Sequence, residues 1–358
     1  MRPETSRART VLAACLLSLV LGGCRDAKQT DAAGAAANPT AAVTLVGSTD
    51  LATAELASFA PLAVRMDMPS GTTNKAKVDL GRALFNETLL SDGHDVSCNS
   101  CHALNGYGAD GRPVSLGHDG RAGTRNSPTV YNAAGHVAQF WDGRAADVEE
   151  QAKGPILNPI EMGMPDSSAV LAHLRVSRMY VAMFRAAFPR ERQPISYDNV
   201  GRAIGAFERG LVTPSPWDRF LEGDSTALTP DERRGLRTFL DAGCQSCHAG
   251  RYVGGDRYMK ADVVNAWFTQ SDSGRLGVTH NLNDLLVFKV PSLRNVAKTG
   301  PYFHDGSVAT LAEAVRLMGH HQLGKELSVS DVQSIVTWLE SLTGTIPSNY
   351  IAYPQKPN

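Results

Sequence analysis

Apolar residues recur at three- and four-residue intervals in two widely separated stretches of the chain. Val200, Ile204, Phe207 and Leu211 form one stripe, and Val332, Ile335, Leu339 and Leu342 form the other. That period covers one face of an α-helix, so each stretch predicts an amphipathic helix with a buried side. A Ser330-x-x-Gln333 box is read as the cap of the second. Each has an upstream partner. Gly81-Arg-Ala-Leu-Phe85 and Gly235-Leu-Arg-Thr-Phe239 both set Gly and Phe four apart, one turn along a helix. The later partner has defined ends: Thr229 caps it, Pro230 enters the first turn, Glu232 completes a T-x-x-E box and Gly243 stops it. The chain therefore reads as mainly α, with one plan written twice.

The run from Val11 to Leu21 is of another kind. It follows Arg2, Arg7 and Arg9 and ends in Leu21-Gly-Gly-Cys24, the pattern of a bacterial export signal. A cleavage region closing on cysteine resembles a lipobox, with residues 1–23 removed and Cys24 carrying lipid; ordinary cleavage nearby is the alternative. An apolar core of eleven residues, Ser18 among them, is too short for a permanent span. Residues 24–70 are read as tether and N-terminal segment, since 26–45 is rich in Ala, Thr and Gly without an apolar stripe. These features predict a periplasmic protein lipid-anchored to the outer membrane, which Arg25 after the cysteine favours over the inner one, and touching the membrane only there. Losing the signal moves the formal charge from −1 to −3. No basic excess remains to neutralise nucleic-acid phosphates.

Four of the six cysteines fall in two C-x-x-C pairs, Cys98/Cys101 and Cys244/Cys247, each followed at once by histidine, His102 and His248. A disulfide framework suits an exported chain but leaves both histidines idle. A shared zinc site needs those histidines by coincidence, twice. A thioredoxin-type dithiol needs a βαβ setting that neither pair has. Covalent haem uses every atom: both thiols add to vinyl groups and the histidine becomes the proximal ligand. The paired helices then have an object to enclose. The expected fold is two class I-like cytochrome c domains, 71–225 and 226–346, each with one c-type haem, followed by a tail at 347–358.

The sixth iron ligands decide between electron carriage and chemistry. For the second haem Met259, Met318, His280, His304, His320 and His321 are available; Met318, in a Gly-punctuated stretch read as a loop before the closing helix, is preferred. For the first, His118 lies in a Gly-rich loop sixteen residues after His102, suiting a ligand that can withdraw.

From about residue 75 to 345 the chain resembles the bacterial dihaem cytochrome c peroxidases. The likeness rests on "SLGHDGRAGTRNSPTVYNA", "QFWDGRAADVEEQAKGPILNPIEMG", "VPSLRNVAKTGPYFHDG" and "LMGHHQLG" beside the haem motifs. It implies His102 and His118 on a low-potential, peroxide-reacting haem in the N-terminal domain, and His248 with Met318 on a high-potential haem in the C-terminal one. It implies Trp141 as an electron conduit, Gln151 and Glu161 in the peroxide pocket, and an interdomain calcium held by Asn126, Thr299 and Pro301. Hydrogen peroxide is the implied substrate. The implied donor is a small soluble monohaem cytochrome or blue-copper protein, delivering electrons at the C-terminal haem, and a homodimer is the implied assembly. Two rivals are a dihaem carrier without turnover and an enzyme oxidising tryptophans of a partner protein; the latter kind has tyrosine where Met318 stands and lacks the removable histidine.

Overall fold

The computed structural model describes residues 51–353, apart from 52, 67–73 and 270. The export signal, Cys24 and the stretch 26–45 lie outside the described residues. The helices in chain order are α1 (Thr53–Leu56), α2 (Lys75–Phe85), α3 (Cys98–Cys101), α4 (Val148–Gln151), α5 (Lys153–Leu157), α6 (Ser167–Val176) and α7 (Arg178–Ala187). There follow α8 (Tyr197–Glu208), α9 (Pro216–Leu221), α10 (Pro230–Ala242), α11 (Leu276–Thr279), α12 (Leu311–Leu323), α13 (Val329–Glu340) and α14 (Ser348–Ile351). One antiparallel ribbon, β1 (Tyr258–Lys260) on β2 (Val287–Lys289), pairs Tyr258 with Lys289 and Met259 with Phe288. No described helix is long and apolar enough to cross a membrane.

Two apolar cores form. The first gathers α2, α6, α7 and α8 around Leu84, Phe85, Phe184, Ile204 and Phe207. The second gathers α9, α10 and α13 around Trp217, Leu236, Phe239, Ile335 and Trp338. The repeated plan has a common geometry. A Cβ on Gly81 would lie 1.9 Å from the Ala203 carbonyl oxygen and 2.9 Å from Phe207 Cβ. One on Gly235 would lie 2.0 Å from the Ser334 carbonyl oxygen and 2.9 Å from Trp338 Cβ. In both crossings the glycine admits the partner backbone, and the Phe one turn later meets the same aromatic, Phe85 on Phe207 and Phe239 on Trp338. Gly235→Ala is accordingly expected to destabilise the protein by about 1–3 kcal/mol in denaturant titrations, although alanine favours an isolated helix by about 1 kcal/mol. A neutral or stabilising result would show that the crossing has slack.

Several expectations are corrected. The cap of α13 is Ser328, which accepts from the Asp331 amide at 3.1 Å, not Ser330. Aspartate serves at the third position as well as glutamine, and the helix simply begins two residues earlier. Leu211 and Leu342 are fully buried but follow their helices rather than ending them. Met318 lies inside α12, not in a loop. Thr310 caps that helix and Gly324, with φ 61°, ends it, so Gly319 is interior and leaves room for Leu327.

The chain ends are exchanged between the cores. Phe59, from the N-terminal segment, packs edge-on against Trp217 of the second core. Ile351, from the C-terminal segment, belongs to the first, where Tyr350 stacks on Phe207 at 5.3 Å.

Candidate functional site

Each C-x-x-C-H motif closes a single turn. Ser97 caps α3, and the His102 amide returns to the Cys98 carbonyl at 2.9 Å. The His248 amide reaches the Cys244 carbonyl at 3.0 Å in the same way. The four thiols are unpaired, and burial pushes Cys98 and Cys244 up to about 12. A thiol held protonated is a poor redox dithiol and a poor zinc ligand. Among the described residues no three His, Cys, Asp or Glu side chains gather as a metal site, so the two pairs do not share an ion.

The histidines suit haem iron. Burial keeps both neutral, lowering His248 to about 4 and His102 below its usual value. His102 Nδ1 is 3.4 Å from the Gly108 carbonyl, which leaves Nε2 for a metal. His248 Nδ1 is buried toward Val253 and Pro291 without a completed hydrogen bond. Gly254 makes that position: a Cβ there would sit 2.3 Å from the Pro291 carbonyl oxygen and 3.2 Å from His248 Nδ1.

One largely apolar cavity is lined by Cys244, Cys247, His248 and Met318, with Phe239, Leu311, Ile335 and Leu339 as walls. Met318 therefore faces the same space as the second motif, delivered by a helix. Met259 and His304 line the cavity too, whereas His320 and His321 line an outer pocket. His280 is exposed.

The cavity also brings together Asn126, Trp141, Thr299 and Pro301. Trp141 is pinned: its indole donates to the Asn126 carbonyl at 2.9 Å, and its carbonyl accepts from the Lys289 amide at 2.8 Å. Asn126 Nδ2 donates to the Arg112 and Pro113 carbonyls at 3.0 and 3.3 Å, leaving Oδ1 as the oxygen available to a cation. Hard oxygen donors of this kind suit calcium.

Near the first motif, Glu161 lines a pocket of about 410 Å³ with Arg144, Asn158, Phe140 and Tyr197. Asn158 Nδ2 donates to Glu161 Oε1 at 2.8 Å. Burial raises the Glu161 carboxyl, opposed by the Arg144 charge and the Asn158 bond. The Glu161 carbonyl holds the His118 amide at 2.7 Å, and the Leu116 carbonyl, two residues earlier, lies 4.0 Å from Cys101 Sγ, which brings the Glu161 turn beside the motif. Gln151 ends α4 and does not line this pocket; Glu150 beside it does.

His118 opens a short turn in which Asp119 has φ 58°. Its Nδ1 lies 3.4 Å from Asp95, and its Nε2 3.2 Å from Asp119 and 3.8 Å from Asp92. A Cβ on Gly93 or Gly163 would come within 2.7 Å of the ring. Arg144, Asn158 and these carboxylates were not read from sequence. Arg144 stands in the quoted "FWDGRAAD" block, but only the fold brings it to the pocket that Glu161 lines, with its guanidinium held by Asp142 at 3.0 Å.

The fold and the two motifs thus define a dihaem c-type cytochrome with one enclosed iron site and one beside a polar pocket. A family model described as di-haem cytochrome c peroxidase matches residues 75–226. Cytochrome c551 peroxidase of Pseudomonas aeruginosa is 46% identical over 78% of this chain and 81% of its own length. Cytochrome c551 peroxidase of Nitrosomonas europaea is 44% identical over 76% of this chain and 82% of its own. Among solved structures, a MauG-like protein associated with microbial copper homeostasis superposes with TM-score 0.73 at 28% identity, over 82% of this chain and 97% of that one. The chain belongs to the di-haem cytochrome c peroxidase family and, as that family implies, carries two c-type haems.

Proposed function

We propose that this protein reduces hydrogen peroxide to water with electrons from a small soluble cytochrome or cupredoxin. Cys244, Cys247, His248 and Met318 would hold the haem that receives them, Cys98, Cys101 and His102 would hold the haem that reacts with peroxide, and Trp141 would stand as the conduit between the two. The observation carrying this reading is the half-buried Glu161 carboxyl, in a pocket whose turn is tied to the His118 loop beside the first motif, a position a pure carrier does not need.

The bound haem supplies the iron that takes up peroxide and relays the electrons. Glu161 takes the proton from one peroxide oxygen and returns it to the other, which departs as water; burial, by raising its affinity for protons, fits it to both halves of that task. Asn158 fixes the carboxyl, while Gln151, at the end of α4, lies outside the Glu161 pocket and is given no part in this step. With two electrons and two protons supplied, one H2O2 gives two waters.

His118 would serve as the removable ligand of the first haem. The seat between Gly93 and Gly163, with carboxylates at both ring nitrogens, supports a withdrawn state. Reducing the Met318-ligated haem favours that state, which makes a two-state switch. Half-reduced protein is therefore expected to exchange the low-spin resonance of the first haem for a high-spin one and to consume peroxide with either reduced donor. A first haem that stays six-coordinate through half-reduction, with peroxide untouched, refutes the reading and leaves the carrier.

Met318 at the cavity argues against the tryptophan-oxidising rival. Asn126 Oδ1 with the Thr299 and Pro301 carbonyls is the proposed calcium site, checked by chelator titration of the holoprotein. A Cys24 lipid anchor in the periplasmic face of the outer membrane is checked by the mass of the mature N-terminus, and a homodimer by sedimentation.

A further inference from the structure

Among the described residues no Asp or Glu lines the cavity that faces His248 and Met318, yet two lysines do, Lys260 and Lys289. Lys260 is exposed and pairs with Asp262 at 3.2 Å. Lys289 is different. It is 8% exposed, and among the described residues no carboxylate lies within ion-pair distance of it. Its Nζ donates to the Ala138 carbonyl at 2.9 Å and sits 3.3 Å from His136 Nδ1. An ammonium has three protons, so one remains without a partner.

His136 carries the complementary vacancy. Its Nε2 is buried and makes no hydrogen bond. The ring is held edge-on to Tyr252 at 5.4 Å and presses on Gly255, where a Cβ would come within 2.5 Å of it. Gly255 follows Gly254, the residue that borders His248 Nδ1. The Gly255 carbonyl accepts from the Val137 amide at 2.8 Å, and its amide donates to the Val290 carbonyl at 2.9 Å, which ties the His136 turn to the residue after β2. Both unpartnered donors therefore belong to the His248 side of one acid-free cavity.

Burying an unpaired cation is costly. Here burial pushes the Lys289 ammonium down to about 8, and it holds His136 well below its usual value beside that charge. A c-type haem brings two propionate carboxylates into a cavity that has no acid of its own. We propose that Lys289, seconded by His136, holds a propionate of the C-terminal haem and so raises the reduction potential of that haem, acting as a positioning and tuning group. This rests on the reading that this cavity houses the second haem.

The sign follows from electrostatics. Reduction adds a negative charge to the haem, and a fixed cation in a low-dielectric wall favours it. Because the Lys289 amide is bonded to Trp141, the same residue ties the tuned haem to the proposed conduit. A lysine that only capped the Ala138 carbonyl would act on the potential through its charge alone and would leave the propionate mode unmoved when replaced.

The test is potentiometric titration of the holoprotein carrying Lys289→Met, Lys289→Gln and Lys289→Arg. Met and Gln are expected to lower the reduction equilibrium constant of the methionine-ligated haem about tenfold, which is about 59 mV for one electron. Arg is expected to hold the potential near wild type. In resonance Raman spectra the propionate bending mode should shift in Met and Gln and in His136→Phe. If Met and Gln keep two haems and the methionine charge-transfer band but also the wild-type potential and propionate mode, the proposal is overturned. A wild-type protein without that methionine band fails differently: the assignment of the cavity falls, not the tuning.

Discussion

Glu161→Gln is expected to lower peroxide turnover about a hundredfold to ten-thousandfold, the range removed with a general acid–base group, while both haems stay in place. Glutamine has the same length and can still take the Asn158 Nδ2 hydrogen bond, which is 2.8 Å in the parent. The turn that sets the site is local and should survive: Asn158 Oδ1 accepts from the Ile160 amide at 3.0 Å, and the Asn158 carbonyl accepts from the Glu161 amide at 3.0 Å. The Glu161 carbonyl continues to hold the His118 amide at 2.7 Å, so the loop keeps its tether. What disappears is a group able to take a proton and give it back. The loss should fall on kcat measured with half-reduced enzyme and saturating donor, with haem content and half-reduced spectra unaltered. Undiminished kcat would remove Glu161 from the chemistry and shift attention to Gln151 or to a water held by Arg144.

The largest effect on stability is expected at Asp218. Its Oδ2 accepts from the Ser215 amide at 2.8 Å, from Ser215 Oγ at 2.9 Å and from Arg294 Nη1 at 2.8 Å. Its Oδ1 accepts from the Leu62 amide at 2.8 Å, which fastens the N-terminal segment. The pair is sealed, with side-chain exposures of 0% for Arg294 and 6% for Asp218. Arg294 also donates to the Arg251 carbonyl through Nε at 3.1 Å and Nη2 at 2.8 Å, so the guanidinium cannot swing out to water. Asp218→Asn strands that charge and should cost about 3–5 kcal/mol in denaturant titration. The double change Asp218→Leu with Arg294→Met removes the stranded charge and is expected to recover a substantial part of the loss. A single variant as stable as the parent would show that water reaches the pair.

Much of the architecture is legible in local sequence because it depends on groups three or four residues apart. The Thr229–Glu232 box forms both reciprocal bonds, at 3.2 Å and 2.7 Å, and Gly243 ends the helix at φ 94°. Each C-x-x-C-H is one turn of backbone and needs no distant partner to present its thiols and imidazole on one side. The glycine–phenylalanine spacing, repeated in both halves, already specified where two helices could cross closely.

Met318 and the α13 cap show where local reading fails. A glycine beside Met318 suggests a loop because glycine disfavours helix by about 1 kcal/mol, but Gly319 is placed by the approach of Leu327. Ser328 and Ser330 offer the same chemistry, and only the path entering α13 selects Ser328.

By itself, then, the sequence determined a mainly helical chain with two covalent haem sites, and it offered a methionine for one and a histidine for the other. Tertiary structure alone decided that Phe59 and Ile351 pack on opposite cores, that Arg144 and Glu161 line one pocket, and that Lys289 stands unpaired beside His136 at an acid-free cavity. Caps and haem motifs are written in short-range hydrogen bonds, whereas burial of a charge depends on which residues, often more than a hundred positions apart, exclude water from it together.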